Sequence, residues 1–289
     1  MSMRLEARVD VAEALSYLGH AGQDLGPELA ARLERAAALC AGMAPSGMAR
    51  AFPLESFECD ERGVPCGVRL RGCALELAGY DVARHLAGAC EVVLMAVTLG
   101  LGSESILRRE AALNPTDGLL VDACASALVE DAANELSRLV EERARARGLR
   151  AGARFSPGYG DLPLGIQRAF LDALGAGRAL GISVTRGDLL VPAKSITAVA
   201  GLYHVDAARG LRAEGAPHVP AASAENAGRA ASATSLADVP PEGGPAAPRV
   251  PVSPEGGPAV PAPSARSCAT CRLAPVCTLH AQGRTCHGR

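Results

Sequence analysis

The sequence contains no tryptophan, and only 3% of its 289 residues are aromatic. A core made without large rings has to come from Ala, Leu and Val, and a base-stacking platform for single-stranded nucleic acid is largely excluded. Lysine is nearly absent too: Lys194 stands alone among 29 basic residues, the rest being arginine. Charge of one sign is also lacking. The formal net charge is -2, so no global field draws the chain to DNA or to an anionic membrane. Long apolar runs are missing: Val92 to Gly102 is well short of the roughly 20 residues a bilayer span requires. The first ten residues carry acids and no apolar stretch, so no signal peptide is expected, and a cytoplasmic protein is the expectation.

Hydrophobic residues make up 48% of the chain, enough to bury a sizeable core. Composition divides it into three parts. Residues 1–213 read as one globular unit. Residues 214–266 are Ala, Pro, Gly and Ser, with the phrase Pro-Glu-Gly-Gly-Pro-Ala at Pro241 and again at Pro254. Such a segment buries too little to offset its ordering entropy, so a flexible linker is expected, its ends about 40 Å apart on average. Residues 267–289 form a small Cys-rich tail.

In the globular part, apolar spacing predicts helices over Val11–Leu18, from Gly26-Pro27 to Cys40, and from Thr116 to about Arg147. Asp81 is expected to cap a short helix to about Ala89. Asp161 is expected to cap another, from Leu162 to Leu174. Phe57–Leu77 reads as hairpin strands, Val92–Thr98 as a central strand ended by Gly100 and Gly102, Ile182–Val191 as a hairpin, and Lys194–Val199 as a strand. Helices mixed with antiparallel strands, and no βαβ rhythm, indicate α+β: helices packed around an antiparallel sheet.

The informative stretch is Arg154-Phe155-Ser156-Pro157-Gly158-Tyr159-Gly160-Asp161. Pro157-Gly158 is a turn dipeptide, and Gly160 frees the backbone again. Arg154 offers a planar fork for a carboxylate, Tyr159 a flat face with a hydroxyl, and Asp161 a negative charge. The set suits a zwitterionic ligand bearing an aromatic base. It equally suits an ordinary connection between two helices with a capping Asp. Glu130, Lys194 and Ser195 carry the same pair of readings. Glu130 can bind a positive ligand group or be a solvated helix charge, as can Asp122. Lys194 and Ser195 can contact a ligand carboxylate or phosphate, or can sit at a solvated strand edge. Six histidines are scattered, and none lies near Ser195 or Cys124, so hydrolytic nucleophile–base chemistry is not indicated.

Taken in order, several phrases resemble the activation (reactivation) domain of cobalamin-dependent methionine synthase, and most closely the stand-alone bacterial proteins that consist of that domain. They are Tyr17-Leu18-Gly19, Met95 to Gly100, Asp122 to Glu130, the Arg154–Asp161 loop, and Leu190 to Ala198. The resemblance spans roughly residues 5–212. It implies S-adenosylmethionine bound in a groove of an α+β fold, with its methyl presented to a partner's cob(II)alamin. An electron donor such as flavodoxin or ferredoxin reduces the cobalt, and methyl transfer traps cob(I)alamin as methylcobalamin. Arg154 would hold the amino-acid carboxylate. Pro157, Gly158, Tyr159, Gly160 and Asp161 would line the ligand, with Lys194, Ser195 and Glu130 beside it. The implied partner is a methionine synthase lacking its own activation domain, or another corrinoid protein; neither nucleic acid nor membrane is expected. Cob(I)alamin is itself a strong nucleophile, so orientation is the protein's task.

Two departures stand out. The integral domains have Pro after the Tyr, where this chain has Gly160-Asp161, as the stand-alone relatives do. They also follow the second motif with Trp and a ligand-touching Tyr, where this chain has Val199-Ala200-Gly201-Leu202, with Tyr203 and His204 out of register. A non-catalytic adaptor for a corrinoid protein, no longer binding S-adenosylmethionine, is the alternative.

Six cysteines precede the linker, mostly at apolar-periodic positions, and are expected to be small buried hydrophobes. The tail sets Cys268-x2-Cys271-x5-Cys277-x8-Cys286. So short a segment cannot build its own core, and four thiolates suit zinc or an iron–sulfur cluster. A tethered cluster could deliver the reactivating electron; zinc would make the tail a docking module.

Overall fold

The computed structural model describes residues 2–205. Residues 214–266, expected to be a linker, and residues 267–289, with Cys268, Cys271, Cys277 and Cys286, lie outside the described residues. The fold is α+β. Strands β1 (Met3–Arg4), β2 (Ser46–Cys59), β3 (Pro65–Leu70), β4 (Glu76–Ala78), β5 (Glu91–Thr98), β6 (Leu149–Ala151) and β9 (Ser195–His204) make one sheet. Its order is β4-β3-β2-β5-β9-β6, every pairing antiparallel, with β1 on β2. A small hairpin, β7 (Ser183–Val184) with β8 (Leu190–Val191), stands apart from it.

β2 is the long strand. Its first half, Ser46–Pro53, pairs with β5, and its second, Leu54–Cys59, pairs with β3. A strand starting only at Phe57 was too short an expectation, because Gly47, Arg50 and Pro53 mask the alternation upstream. β5 is central, as its continuous apolar run predicts, and alternation sends its side chains to both faces. Val93, Met95 and Val97 enter one core cluster, and Val92, Leu94 and Ala96 enter the other.

The first cluster packs α1 (Val11–Tyr17), α2 (Pro27–Ala41) and the long α5 (Pro115–Arg145) onto the sheet. The second packs α3 (Tyr80–His85), α6 (Gln167–Leu174) and α7 (Ala176–Leu180) onto the opposite face. α5 has 31 residues, about 46 Å at 1.5 Å per residue. Asn114 caps it, accepting from the Thr116 and Asp117 N–H groups at 2.9 and 3.3 Å, and Pro115 opens it. Leu120, Cys124, Leu128, Ala132 and Leu136 are buried along its inner face, with small Ala residues between them that bring neighbouring helices close. α4 (Leu101–Leu113) lies against α5. Gly102, expected to end a strand, instead sits in the first turn of α4, whose inward face sets Ser103 and Glu110 at either end of Ile106 and Leu107.

Both caps expected of Asp81 and Asp161 are corrected. α3 starts after Gly79, and its capping carboxylate is that of Asp161, 80 residues downstream, while Asp81 lies inside the first turn. The Leu162–Leu174 stretch begins as a 3-10 turn at Leu164–Ile166 with no side-chain cap.

Candidate functional site

α5 carries a polar seam along one edge: Asp122, Ser126, Glu130 and Asn134, each four residues from the next. At 3.6 residues per turn these positions stack on one side of the helix. Two cations from outside the helix pin it. Lys194, at the entry to β9, places Nζ 2.9 Å from Asp122 Oδ1 and donates to Ser126 Oγ at 2.8 Å. Arg154 donates through Nη2 to Glu130 Oε2 at 3.2 Å and to Asn134 Oδ1 at 2.9 Å. Lys194 therefore takes the upper two rungs of the seam and Arg154 the lower two. Ser195 is part of the sheet ladder opposite Thr98, and its hydroxyl donates to Thr98 Oγ1 at 2.8 Å.

Arg154 is not fully satisfied. Its Nη1 is buried and has no hydrogen-bond partner. Unpaired buried donors are uncommon and mark a missing acceptor. The surroundings are acidic and aromatic. Burial pushes the Glu130 carboxyl above the usual carboxylate range, with Glu13 adding to the rise and Arg154 opposing it. Tyr17 donates to Glu13 Oε1 at 2.5 Å, and its phenol is driven upward by burial first and by Glu13 second. Tyr159 is likewise raised, by burial and then by Glu130. Glu13, Tyr17, Glu130, Arg154 and Tyr159 thus share one electrostatic neighbourhood.

The loop that delivers Arg154 and Tyr159 is held at both ends. Phe155 forms an isolated two-bond bridge with Val199 of β9, each N–H to the other's carbonyl at 2.8 Å. Alternation about that bridge separates Arg154, toward α5, from Phe155, which packs with the second core cluster. Pro157 is buried. The Gly158 N–H is taken by the Leu162 carbonyl at 2.8 Å, so that donor serves the turn itself. Gly160 has φ +53°, and a Cβ there would collide with the Asp81 carboxylate. Asp161 accepts from the Tyr80 and Asp81 N–H groups at 2.6 and 3.0 Å. Its charge is spent on the start of α3, where the helix dipole favours it. Tyr159 stays 41% exposed, its ring edge-on to Phe155 at 6.2 Å, and Phe155 contacts His85 at 5.1 Å.

Among solved structures, this chain is similar to the crystal structure of the MetH reactivation domain bound to AdoHcy. Sequence identity is 16%, the match covers 70% of this chain and 78% of that chain, and the TM-score is 0.49. No family model matches the chain, and no curated protein does.

Of the residues singled out in the sequence, the structure gathers Arg154, Glu130 and Tyr159 in one neighbourhood and seats Pro157, Gly158, Gly160 and Asp161 in the loop beside it. Lys194 and Ser195 are held at the head of β9. Asn134, Tyr17 and Glu13 were missed. The signal for Asn134 was the four-residue polar repeat on α5, and Tyr17 stood in a phrase already noted without a role. Val199-Ala200-Gly201-Leu202, the stretch set against the Trp and Tyr of the integral domains, is buried throughout. Tyr203 does not replace that ring: its hydroxyl donates to the His85 carbonyl at 2.9 Å, and the Arg150 guanidinium lies over it. Among the described residues no three His, Cys, Asp or Glu side chains converge to hold a metal, and no helix is long and apolar enough to cross a membrane.

Proposed function

We propose that this chain binds S-adenosylmethionine at the Arg154–Asp161 loop and supports reductive remethylation of cob(II)alamin on a corrinoid methyltransferase, a methionine synthase without its own activation domain being the partner that fits. The observation that carries this reading is the unpartnered, buried Nη1 of Arg154. A ligand carboxylate supplies the acceptor it lacks, in a charge-assisted bond. Glu130 beside it suits the ligand's ammonium or sulfonium charge, and the exposed Tyr159 ring offers a flat surface to the nucleoside. The anchors at Phe155 and Asp161 fix this bend before any ligand arrives, which lowers the ordering cost of binding. The partner's corrinoid supplies the nucleophile. What falls to this chain is to hold the carboxylate at Arg154, orient the sulfonium methyl, and keep water from it.

The test mixes the purified protein with a corrinoid methyltransferase lacking an activation domain, S-adenosylmethionine and a low-potential reductant, and follows methylcobalamin by its visible spectrum. The reading requires methylation that depends on this chain and falls with Arg154→Ala. Equal rates with and without the protein would refute it.

A second reading is an adaptor that associates with the corrinoid protein but does not bind S-adenosylmethionine. Two observations favour it: Arg154 already gives Nη2 to Glu130 and Asn134, and the buried Val199-Ala200 pair stands where the integral domains carry Trp and the ligand-touching Tyr. No heat of binding together with retained association would select it. In either reading the four tail cysteines are proposed to ligate zinc or an iron–sulfur cluster. Metal analysis and the visible spectrum of anaerobically purified protein distinguish the two, and metal-free protein without a charge-transfer band rejects both.

A further inference from the structure

The six cysteines of the described residues fall into unlike settings. Cys40 and Cys124 are buried, and burial pushes their thiols up to about 12 and about 11, which withholds the reactive thiolate. Cys90 donates its thiol to the Leu202 carbonyl at 3.2 Å, and Cys73 packs against the second core cluster past the end of β3. Cys59 and Cys66 differ from all of these. They lie on facing strands at the tip of the β2–β3 hairpin, where Cys59 pairs with Pro65, the neighbour of Cys66; Cys59 is exposed and Cys66 half-buried.

The register brings them together. Glu58 pairs with Gly67 but Cys59 pairs with Pro65, so Cys66 is the extra residue of a bulge and shares the space opposite Cys59. Cys59 lies two residues beyond Phe57 and Cys66 two before Val68, and Phe57 and Val68 pair and pack into the same core cluster. The Tyr80 hydroxyl donates to Asp60 Oδ2 at 3.1 Å, next in sequence to Cys59, and this Asp60 bond raises the phenol most, with Cys66 adding to the rise. Directly opposed residues lie about 4.5–5.5 Å apart, and a disulfide spans Cα separations up to about 6.8 Å, which leaves room for the offset of a bulge residue.

We propose that Cys59 and Cys66 are an oxidisable dithiol that closes into a hairpin disulfide when the chain meets a low-molecular-weight disulfide such as oxidised glutathione. The exposed Cys59 thiolate attacks one glutathione sulfur, its proton going to solvent, and one reduced glutathione leaves. The Cys66 thiolate then attacks Cys59 Sγ in the mixed disulfide, and the second reduced glutathione leaves. Two protein thiols are oxidised and one glutathione disulfide is reduced to two thiols. The bridge closes a short, exposed loop, so it is reversible rather than structural. It also rests on the candidate site: the Cys66 carbonyl accepts from Gly79 N at 2.8 Å, and the next residue, Tyr80, is tied to Asp161.

The test uses the full chain. The protein is equilibrated with oxidised glutathione, alkylated and digested with trypsin, which cuts at Arg50, Arg62 and Arg69 and leaves the two cysteines on separate peptides. The proposal requires peptides 51–62 and 63–69 joined, two hydrogens lighter than their sum, and separated again by excess dithiothreitol. Cys59→Ser and Cys66→Ser should each abolish the joined species and leave the other cysteine glutathionylated, whereas Cys73→Ser should retain it. Unjoined peptides, glutathione on each without linkage, or Cys59 joined to any other cysteine would overturn the proposal.

Discussion

Asp161 holds the start of α3 from 80 residues away, and the strength of that hold can be measured. Its two oxygens accept separate backbone N–H groups at 2.6 and 3.0 Å, at the positive end of a helix with no other side-chain cap. Losing an N-terminal cap costs about 0.5–2 kcal/mol, and the dipole contribution of the charge adds about 0.3–1 kcal/mol. Because the carboxylate is exposed, the lower part of the summed range is appropriate, and Asp161→Ala is expected to destabilise the protein by about 1.5 kcal/mol. For a domain of this size that lowers Tm by about 3–6 °C. Asp161→Asn keeps one acceptor and loses the charge, so it should fall about halfway between. Thermal melts followed by far-UV circular dichroism read both variants. Melts for Asp161→Ala within 1 °C of the parent would refute the reasoning, and would release Asp161 for a direct ligand role.

Gly160→Ala combines a positive φ with a collision against Asp81 and should cost about 1–3 kcal/mol, read as a lower urea midpoint; Asp81→Ala in the same chain should recover part of the loss. Arg154→Ala strands a partly buried Glu130. It should destabilise by about 2 kcal/mol, less than for a fully buried pair because both side chains keep some solvent, while the double variant with Glu130→Gln should be less unstable than the two losses summed. The raised Glu130 carboxyl makes the native state take up a proton at a pH where the unfolded chain does not. Its contribution to stability therefore grows as pH falls from neutral through that raised value and is lost as pH rises through it, and Glu130→Gln should flatten this component in urea titrations run at successive pH values.

Much of the architecture was written locally. The apolar spacing of α5 and the unbroken run of β5 mark the elements that carry most of the core, because each presents a continuous face to a packed neighbour. α4 was illegible: its inward residues Ile106 and Leu107 are flanked by Ser103 and Glu110, so the apolar stripe is cut to a single turn. The first half of β2 was hidden by Gly47 and Pro53, which break the alternation although pairing with β5 runs through both. At the candidate site the loop was plain from its glycines, its proline and Arg154. What those residues touch was not. Asp161 satisfies α3, and Arg154 reaches Asn134 on α5, and such partnerships across 80 and 20 residues follow from the packing of the two helices rather than from any local pattern.

Calorimetric titration with S-adenosylmethionine and with its decarboxylated analogue, on the parent protein and on Arg154→Ala, tests the binding claim most directly. A charge-assisted bond to the unpaired Nη1 is worth about 1.5–3 kcal/mol, so the parent should favour the intact ligand over the analogue by roughly 10- to 150-fold. Arg154→Ala should bind the two alike. Equal affinities in the parent, or a preference that survives the substitution, would contradict the account.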